Sequence, residues 1–371
     1  MNPHASVRFF RSALLASVLA ACAAAAAPLP APPTDAQKEA WREHGRDLPA
    51  PEVLQPTLDE GLPAFVPRHG RELSGRFKGA SSDILTALAR RWFEAFKKHY
   101  PNVVMDLPPP YAGSLGAIEL IKGDLDFALV SRELKPTDVA DFRRRFGYDP
   151  LSAAIAGGTW RHFGFLDAVV FMVHEDNPLK ALSYDQLDAL LSSTRHRGGA
   201  AIRTWGQLGL KGEWADRPIT IWGIKPWNGF EEFVRQRVLS VGASRGEWRD
   251  DINFVPTVFP VSGNVAKDRY ALGYAGLAYV GPGVKLLPLA ASAAASPVGA
   301  GYEEVASADY PLSRLCYINL NKKPGEKLNP ALDEFVRFIV SREGQQVVLD
   351  QKIFLPLRAA QAAGSRELLG R

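Results

Sequence analysis

The stretch "GASSDILTALARRWFEAFKKHYP", residues 79–101, follows the strand-like run "LSGRFK" and turns from extended chain to helix within a few residues. Ile84, Leu85, Leu88, Trp92 and Phe96 recur at the spacing of one helix face, and Pro101 marks its end. At the junction lie Ser81, Ser82 and Asp83, short polar side chains suited to a helix start. A helix start offers unpaired backbone N–H groups and the positive end of the dipole, which together favour an anion.

The same form recurs downstream. "NVVMDL" reads as a strand, and Gly113-Ser114 then lead into the helix pattern "LGAIELIK", closed by Gly123. "LDFALVS" is a strand ending at Ser131 and Arg132, with a helix expected after it. "PITIW" precedes "GIKPWNGFEEF", residues 223–233, where Asn228 and Gly229 open the helix pattern "EEFVRQRVL". Further strands are "DAVVFMVHE", "ALGYAGLAYVG" and "RLCYINLN"; Ser183 and Gln186 stand at capping-box spacing in "SYDQLDALLSS". "PALDEFVRFIVSREGQQVVLD" predicts an amphipathic helix or helix pair, and "ALAASAAASPVGAG" a surface loop. This alternation predicts an α/β fold with mixed or mostly parallel sheets covered by helices. In open α/β sheets ligands sit at the carboxyl ends of strands, where these loops would gather. Each polar residue at such a junction is equally an ordinary cap, contributing about 1 kcal/mol and no function.

With 371 residues, 46% hydrophobic and 23% charged, the chain can build one large domain or two lobes. Its net charge of +4 falls to +2 once Arg8 and Arg11 are removed with a leader that has no acids. That bias, without a basic stripe interleaved with aromatics, argues against a nucleic-acid partner. "MNPHASVRFFRSALLASVLAA" predicts a secretory signal over residues 1–21. Leu19-Ala20-Ala21-Cys22 resembles the bacterial lipobox, in which the cysteine is lipidated; ordinary cleavage within "AAAAAP" is the alternative. Residues 22–70, rich in Ala, Pro and charge, read as a tether. No other segment has the roughly 20 apolar residues of a membrane span. The expected location is therefore the bacterial periplasm or cell envelope, with a possible lipid anchor through Cys22. Cys316 then stands alone and is expected as a small buried hydrophobe without a disulfide. Seven scattered histidines without HExxH, no zinc spacing and no GxSxG elbow leave no catalytic residues, metal or cofactor to expect.

From about Leu73 to Leu357 the chain resembles the solute-binding proteins of phosphate ABC importers, the PstS-like family. The collinear stretches include "GSLGAIELIKGDLDFALVSRELKP", "DAVVFMVHEDNPLKALSYDQLDALLS" and "YPLSRLCYINLNKKPGEKLNPALDEFVRFIVSREGQQVVLDQKIFLPL". The resemblance implies an α/β periplasmic-binding-protein fold of two lobes, with mixed sheets flanked by helices and a ligand cleft between them. Lobe 1 would comprise residues 71–167 and 309–360, lobe 2 residues 168–308, and 361–371 a tail. It further implies a monomer that binds a small anion, phosphate above all, and delivers it to a membrane permease.

Carried over position by position, the ligand loops fall on Ser81, Ser82 and Asp83, on Gly113-Ser114, on Ser131 and Arg132, and on Asn228, Gly229 and Phe230. The last loop departs from the family pattern. Asn228-Gly229-Phe230 replaces Ser-Gly-Thr, and Ile224 stands in place of an arginine. An arginine there would bring two parallel charge-assisted bonds and a full charge. Lys225 or Arg132 could supply the charge instead, and Trp227 could cap the lobe interface or stack on a larger ligand. Asn228 with Glu231 forms a capping arrangement, and Glu231 and Glu232 in the first turn weaken the field for an anion. The altered loop keeps open a lipid-tethered non-transport envelope protein on the same fold, a sensor, adhesin or assembly partner with altered or lost phosphate binding.

Overall fold

The computed structural model describes residue 36 and residues 56–109, 115–159, 168–226, 229–242 and 244–370. β1 (Ser74–Ser81) passes through a 3-10 turn, Asp83–Leu85, into α1 (Thr86–Lys97). Leu88, Trp92 and Phe96 turn inward from α1, as their spacing predicts, and Trp92 Nε1 donates to the Gly344 carbonyl at 2.7 Å. Then come β2 (Asn102–Asp106), α2 (Leu115–Lys122), β3 (Phe127–Val130), α3 (Pro136–Phe146) and β4 (Leu151–Gly157). The chain continues through β5 (Val169–His174), β6 (Leu182–Ser183), α4 (Tyr184–Leu191), β7 (Thr220–Ile224), α5 (Gly229–Val234), β8 (Asn253–Val255) and α6 (Phe259–Lys267). β9 (Ala271–Gly276), β10 (Val284–Leu286), β11 (Leu289–Ala290) and α7 (Tyr302–Ala306) follow. β12 (Leu315–Leu320), α8 (Pro330–Ile339), α9 (Arg342–Gln351) and α10 (Ala359–Gly370) complete the chain.

These elements form two mixed five-stranded sheets, ordered β2-β1-β3-β12-β4 and β10-β5-β9-β7-β8, and a two-stranded pair of β11 with β6. In the first, β1 is parallel to β2 and β3, while β12 runs antiparallel between β3 and β4. In the second, β7 is parallel to β8 and β9, and β5 is antiparallel to β9 and β10. Parallel neighbours need a crossover, and helices α1, α2 and α6 provide it while covering the apolar strand faces. Each sheet has its own core. Phe77, Phe96, Phe127 and Phe335 pack together in the first; Phe171, Ile221, Trp248 and Tyr274 belong to the second. The chain passes between sheets twice, after β4 and before β12, and the two passages touch: Ala168 bridges Ser313, and Val169 N donates to the Leu312 carbonyl at 3.1 Å.

Both expected ends of the folded region shift outward. Residues 56–70, read as tether, pack on the first core. Leu62 and Phe65 are buried, Phe65 N donates to Glu343 Oε2 at 2.6 Å, and Arg68 Nε donates to Glu334 Oε1 at 2.7 Å. Two apolar side chains and an arginine in a proline-rich segment sufficed to anchor it, although their spacing carries no helix or strand period. Residues 361–371, read as a tail, belong mostly to α10, whose Ala362, Ser365 and Leu369 are buried and whose Ser365 Oγ donates to the Ala154 carbonyl at 2.8 Å. The leader, Cys22 and the rest of the predicted tether up to residue 55, Ala36 apart, lie outside the described residues. Among the described residues no helix is long and apolar enough to cross a membrane.

Candidate functional site

β1 and β3 are parallel neighbours paired as far as Ser81 and Leu129, so the loops after them leave the same sheet edge side by side. Ser82 N donates to the Leu129 carbonyl at 2.9 Å, which ties the first loop to the start of the third. Ser81 and Ser82 are both buried, yet they differ. The Thr86 hydroxyl donates to the Ser82 carbonyl at 3.2 Å, so the Ser81 hydroxyl, 2.7 Å from Thr86 Oγ1, is the donor of that pair. Its proton is spent locally. The Ser82 hydroxyl has no hydrogen-bond partner among the described residues. Asp83 caps its own turn, Oδ1 accepting from Ile84 N at 3.0 Å.

Ser131 and Arg132 follow β3 directly, but the helix expected after them starts only at Pro136, with the Asp138 carboxylate accepting from Lys135 N at 3.0 Å. The Pro136 ring sets the helical φ there and explains the delay. The Arg132 guanidinium turns to its own segment, donating to the Glu133 carbonyl at 2.6 Å and to Asp138 Oδ2 at 3.4 Å. Ser114, with Gly113, lies outside the described residues, immediately before α2.

In the fourth loop, Trp227 and Asn228 also lie outside the described residues. Ile224 is fully buried in the second core, and its N–H and carbonyl both bond the Tyr274 hydroxyl at 3.2 Å. Lys225 is exposed and forms no ion pair among the described residues. Gly229, at the start of α5, is exposed, with no atom within 4 Å of where a Cβ would stand. Phe230 is buried. The two acids expected to repel an anion are both matched by arginines. Glu231 is buried and accepts from Trp248 Nε1 at 2.6 Å and Arg235 Nε at 2.7 Å. Glu232 takes both Arg245 nitrogens at 2.8 Å. Burial alone would raise the Glu232 carboxyl, but the Arg245 bonds and the Lys135 charge hold it below its ordinary value.

The third and fourth loops face one another across the two sheets. Arg237 pairs with Glu133 at 2.6 Å, Lys135 lies 4.0 Å from Glu232, and Gln236 Nε2 donates to the Leu134 carbonyl at 3.1 Å. Arg314 lies between them, on the passage leading into β12. Its Nη2 is 3.4 Å from the Ser131 carbonyl, and its guanidinium carbon lies 5.4 Å from the Phe230 ring centroid and 5.3 Å from that of Phe233. Sequence reasoning missed this residue. The available signal was a charge interrupting the apolar and small run "YPLSRLCYINL". Next to it, Cys316 is buried, its thiol pushed up to about 12 by burial. The site thus brings together Ser81, Ser82, Ser131, Arg132 and Phe230, adds Arg314, and leaves Lys225 in solvent.

A family model described as the PBP superfamily domain matches residues 66–343. The phosphate-binding protein PstS of Pseudomonas aeruginosa is 32% identical over 309 residues, which cover 82% of this chain and 90% of that relative. Among solved structures, PstS from Borrelia burgdorferi matches with a TM-score of 0.54 at 17% identity, over 77% of this chain and 100% of that one. A possible phosphate binding protein from Planctomyces limnophilus matches with a TM-score of 0.50 at 18% identity, over 80% and 98%. At these identities the two structures support the fold, and the Pseudomonas relative supplies the family. Two mixed sheets flanked by helices, and a collinear likeness across most of the chain, place this protein in the PBP superfamily as a member of the PstS-like family.

Proposed function

We propose that this chain is an extracytoplasmic receptor that binds a small oxyanion, phosphate first, between its two lobes and delivers it to the membrane permease of an ABC importer. The observation that carries this reading is the 32% identity to a phosphate-binding protein across 90% of that protein's length. The geometry agrees with it. Loops from adjacent strand ends bring the Ser82 hydroxyl, the Ser131 segment and Arg314 to the face that meets α5 of the second sheet. The predicted leader and the lipobox-like Leu19-Ala20-Ala21-Cys22 fit export and a lipid anchor. Binding and release require no bond-making, and the reading assigns no catalytic residue.

Titration calorimetry on the mature chain, stripped of carried-over anion by unfolding and refolding, tests the proposal. Phosphate is expected to bind with saturable heat, ahead of sulfate and small carboxylates. Absence of heat with every oxyanion, in a sample that melts cooperatively, would overturn it and favour a non-transport role for the fold.

A further inference from the structure

Arg314 is 6% exposed, in the passage that joins the second sheet to the first. Its charged neighbours are accounted for. Arg132 is matched by Asp138, and Glu133 by Arg237. Three guanidiniums thus face two carboxylates, and Arg314 has no ion pair among the described residues. Burial lowers its pKa to about 10, so it remains charged at neutral pH. A single long bond to the Ser131 carbonyl and two aromatic faces compensate only part of the desolvation of a cation.

A second observation points the same way. Among the described residues the buried Ser82 hydroxyl has no partner. Ser82 follows β1, the neighbour of β3, whose end Ser131 follows, and adjacent strands lie about 4.8 Å apart. The Ser82 hydroxyl lacks an acceptor among the described residues, Arg314 has donors beyond its one long bond, and an anion supplies acceptors and charge together.

We propose that Arg314 is the cation that meets the bound oxyanion, in place of the fourth-loop arginine whose position is taken by the buried Ile224, with the Ser82 hydroxyl as a companion donor. This rests on the receptor reading above. The charge then comes from the passage between the lobes rather than from the rim of the second one. Because the guanidinium packs on rings of α5, ligand binding and the seating of α5 against the first sheet become one event.

The test compares wild type, Arg314→Gln, Arg314→Lys and Ser82→Ala, each by phosphate titration and by melting with and without phosphate. Loss of a charge-assisted contact is expected to weaken phosphate about 100-fold in Arg314→Gln. Its ligand-free melting temperature is expected to equal or exceed that of wild type, because an uncompensated buried charge has gone. Ser82→Ala is expected to bind about 10-fold more weakly. Should Arg314→Gln bind phosphate like wild type, with or without a lower melting temperature, Arg314 is a strut against Ser131 and the α5 rings and the proposal falls. If the Gln variant loses both fold and binding, Arg314→Lys decides: affinity within about tenfold of wild type supports the proposal, and equal loss overturns it. A wild type that binds no oxyanion refutes the receptor reading itself, at the first titration and before any variant is compared.

Discussion

At the scale of single residues, burial determines which polar groups are available to a ligand. Ser81 and Ser82 are indistinguishable as sequence, yet the Thr86 hydroxyl accepts a hydrogen bond from one, and the other has no partner among the described residues. The buried acids follow the same rule. Glu334 has a fully buried side chain and accepts from Arg68 Nε at 2.7 Å and the Tyr100 hydroxyl at 2.8 Å. Burial alone would raise its carboxyl above the ordinary 4.5, but the Arg68 and Tyr100 bonds outweigh this and lower it. The folded state therefore holds the proton less tightly than the unfolded chain. Its contribution is complete above the ordinary value and is lost as pH falls through the lowered one. Glu334→Ala is expected to cost about 3 kcal/mol at pH 7 and to flatten the acid limb of stability against pH, both read from urea melts between pH 3 and 7. A variant keeping the wild-type acid limb would assign the acid sensitivity elsewhere.

At the scale of elements, the sequence was legible wherever one face carried large apolar residues. α1, α4, α8 and α9 were read from their spacing, and the capping box at Ser183 forms as expected: Ser183 Oγ accepts from Gln186 N at 3.2 Å, and Gln186 Oε1 from Ser183 N at 2.9 Å. Ser183→Ala is expected to cost about 1 kcal/mol in chemical denaturation. β4 was not legible, and α3 was legible as a helix after Arg132 but not by its start at Pro136. β4 is "LSAAIAG", whose alanines carry little strand preference, and α3 is "PTDVADFRRRF", where Phe142 is the buried residue in a charged run. Both owe their form to neighbours: β4 to its pairing with β12 and to α10, α3 to its packing on α2. The strand that leads to the first loop has a constraint of its own. A Cβ on Gly79 would lie 2.1 Å from the Phe127 ring. Gly79→Ala is therefore expected to cost at least about 2 kcal/mol, seen as a lower melting temperature, and to be partly relieved in combination with Phe127→Leu. Additive effects of the two substitutions would contradict the contact.

At the scale of the molecule, the lobes meet in part through polar contacts. The Arg237–Glu133 pair joins them at 2.6 Å, and the Arg358–Glu303 pair joins them too; the Arg237 and Glu133 side chains are both partly exposed, and such pairs contribute about 0.5–1 kcal/mol. Arg237→Ala is expected to raise the open-to-closed ratio roughly 2- to 5-fold. Small-angle scattering of the ligand-free protein should then show a larger radius of gyration, shrinking again with phosphate. An unchanged scattering curve would make the pair incidental to closure. Each sheet has its own apolar core, which suits the proposed opening and closing of the receptor.

Local pattern alone determined the alternating strands and helices and the polar junctions at strand ends, because side-chain periodicity and chain geometry are properties of neighbours in sequence; the missing fourth-loop arginine emerged only from the resemblance to the PstS-like family. Only the tertiary structure decided that residues 56–70 and α10 belong to the folded body, that Glu231 and Glu232 are neutralised by Arg235 and Arg245, and that Arg132 is committed to Asp138. It also decided where the unmatched charge lies. Arg314 stands 183 positions from Ser131 and 84 from Phe230 in the chain, yet all three meet at one point. Which charges are buried, and which are left without a partner, depends on what the fold brings together from distant segments.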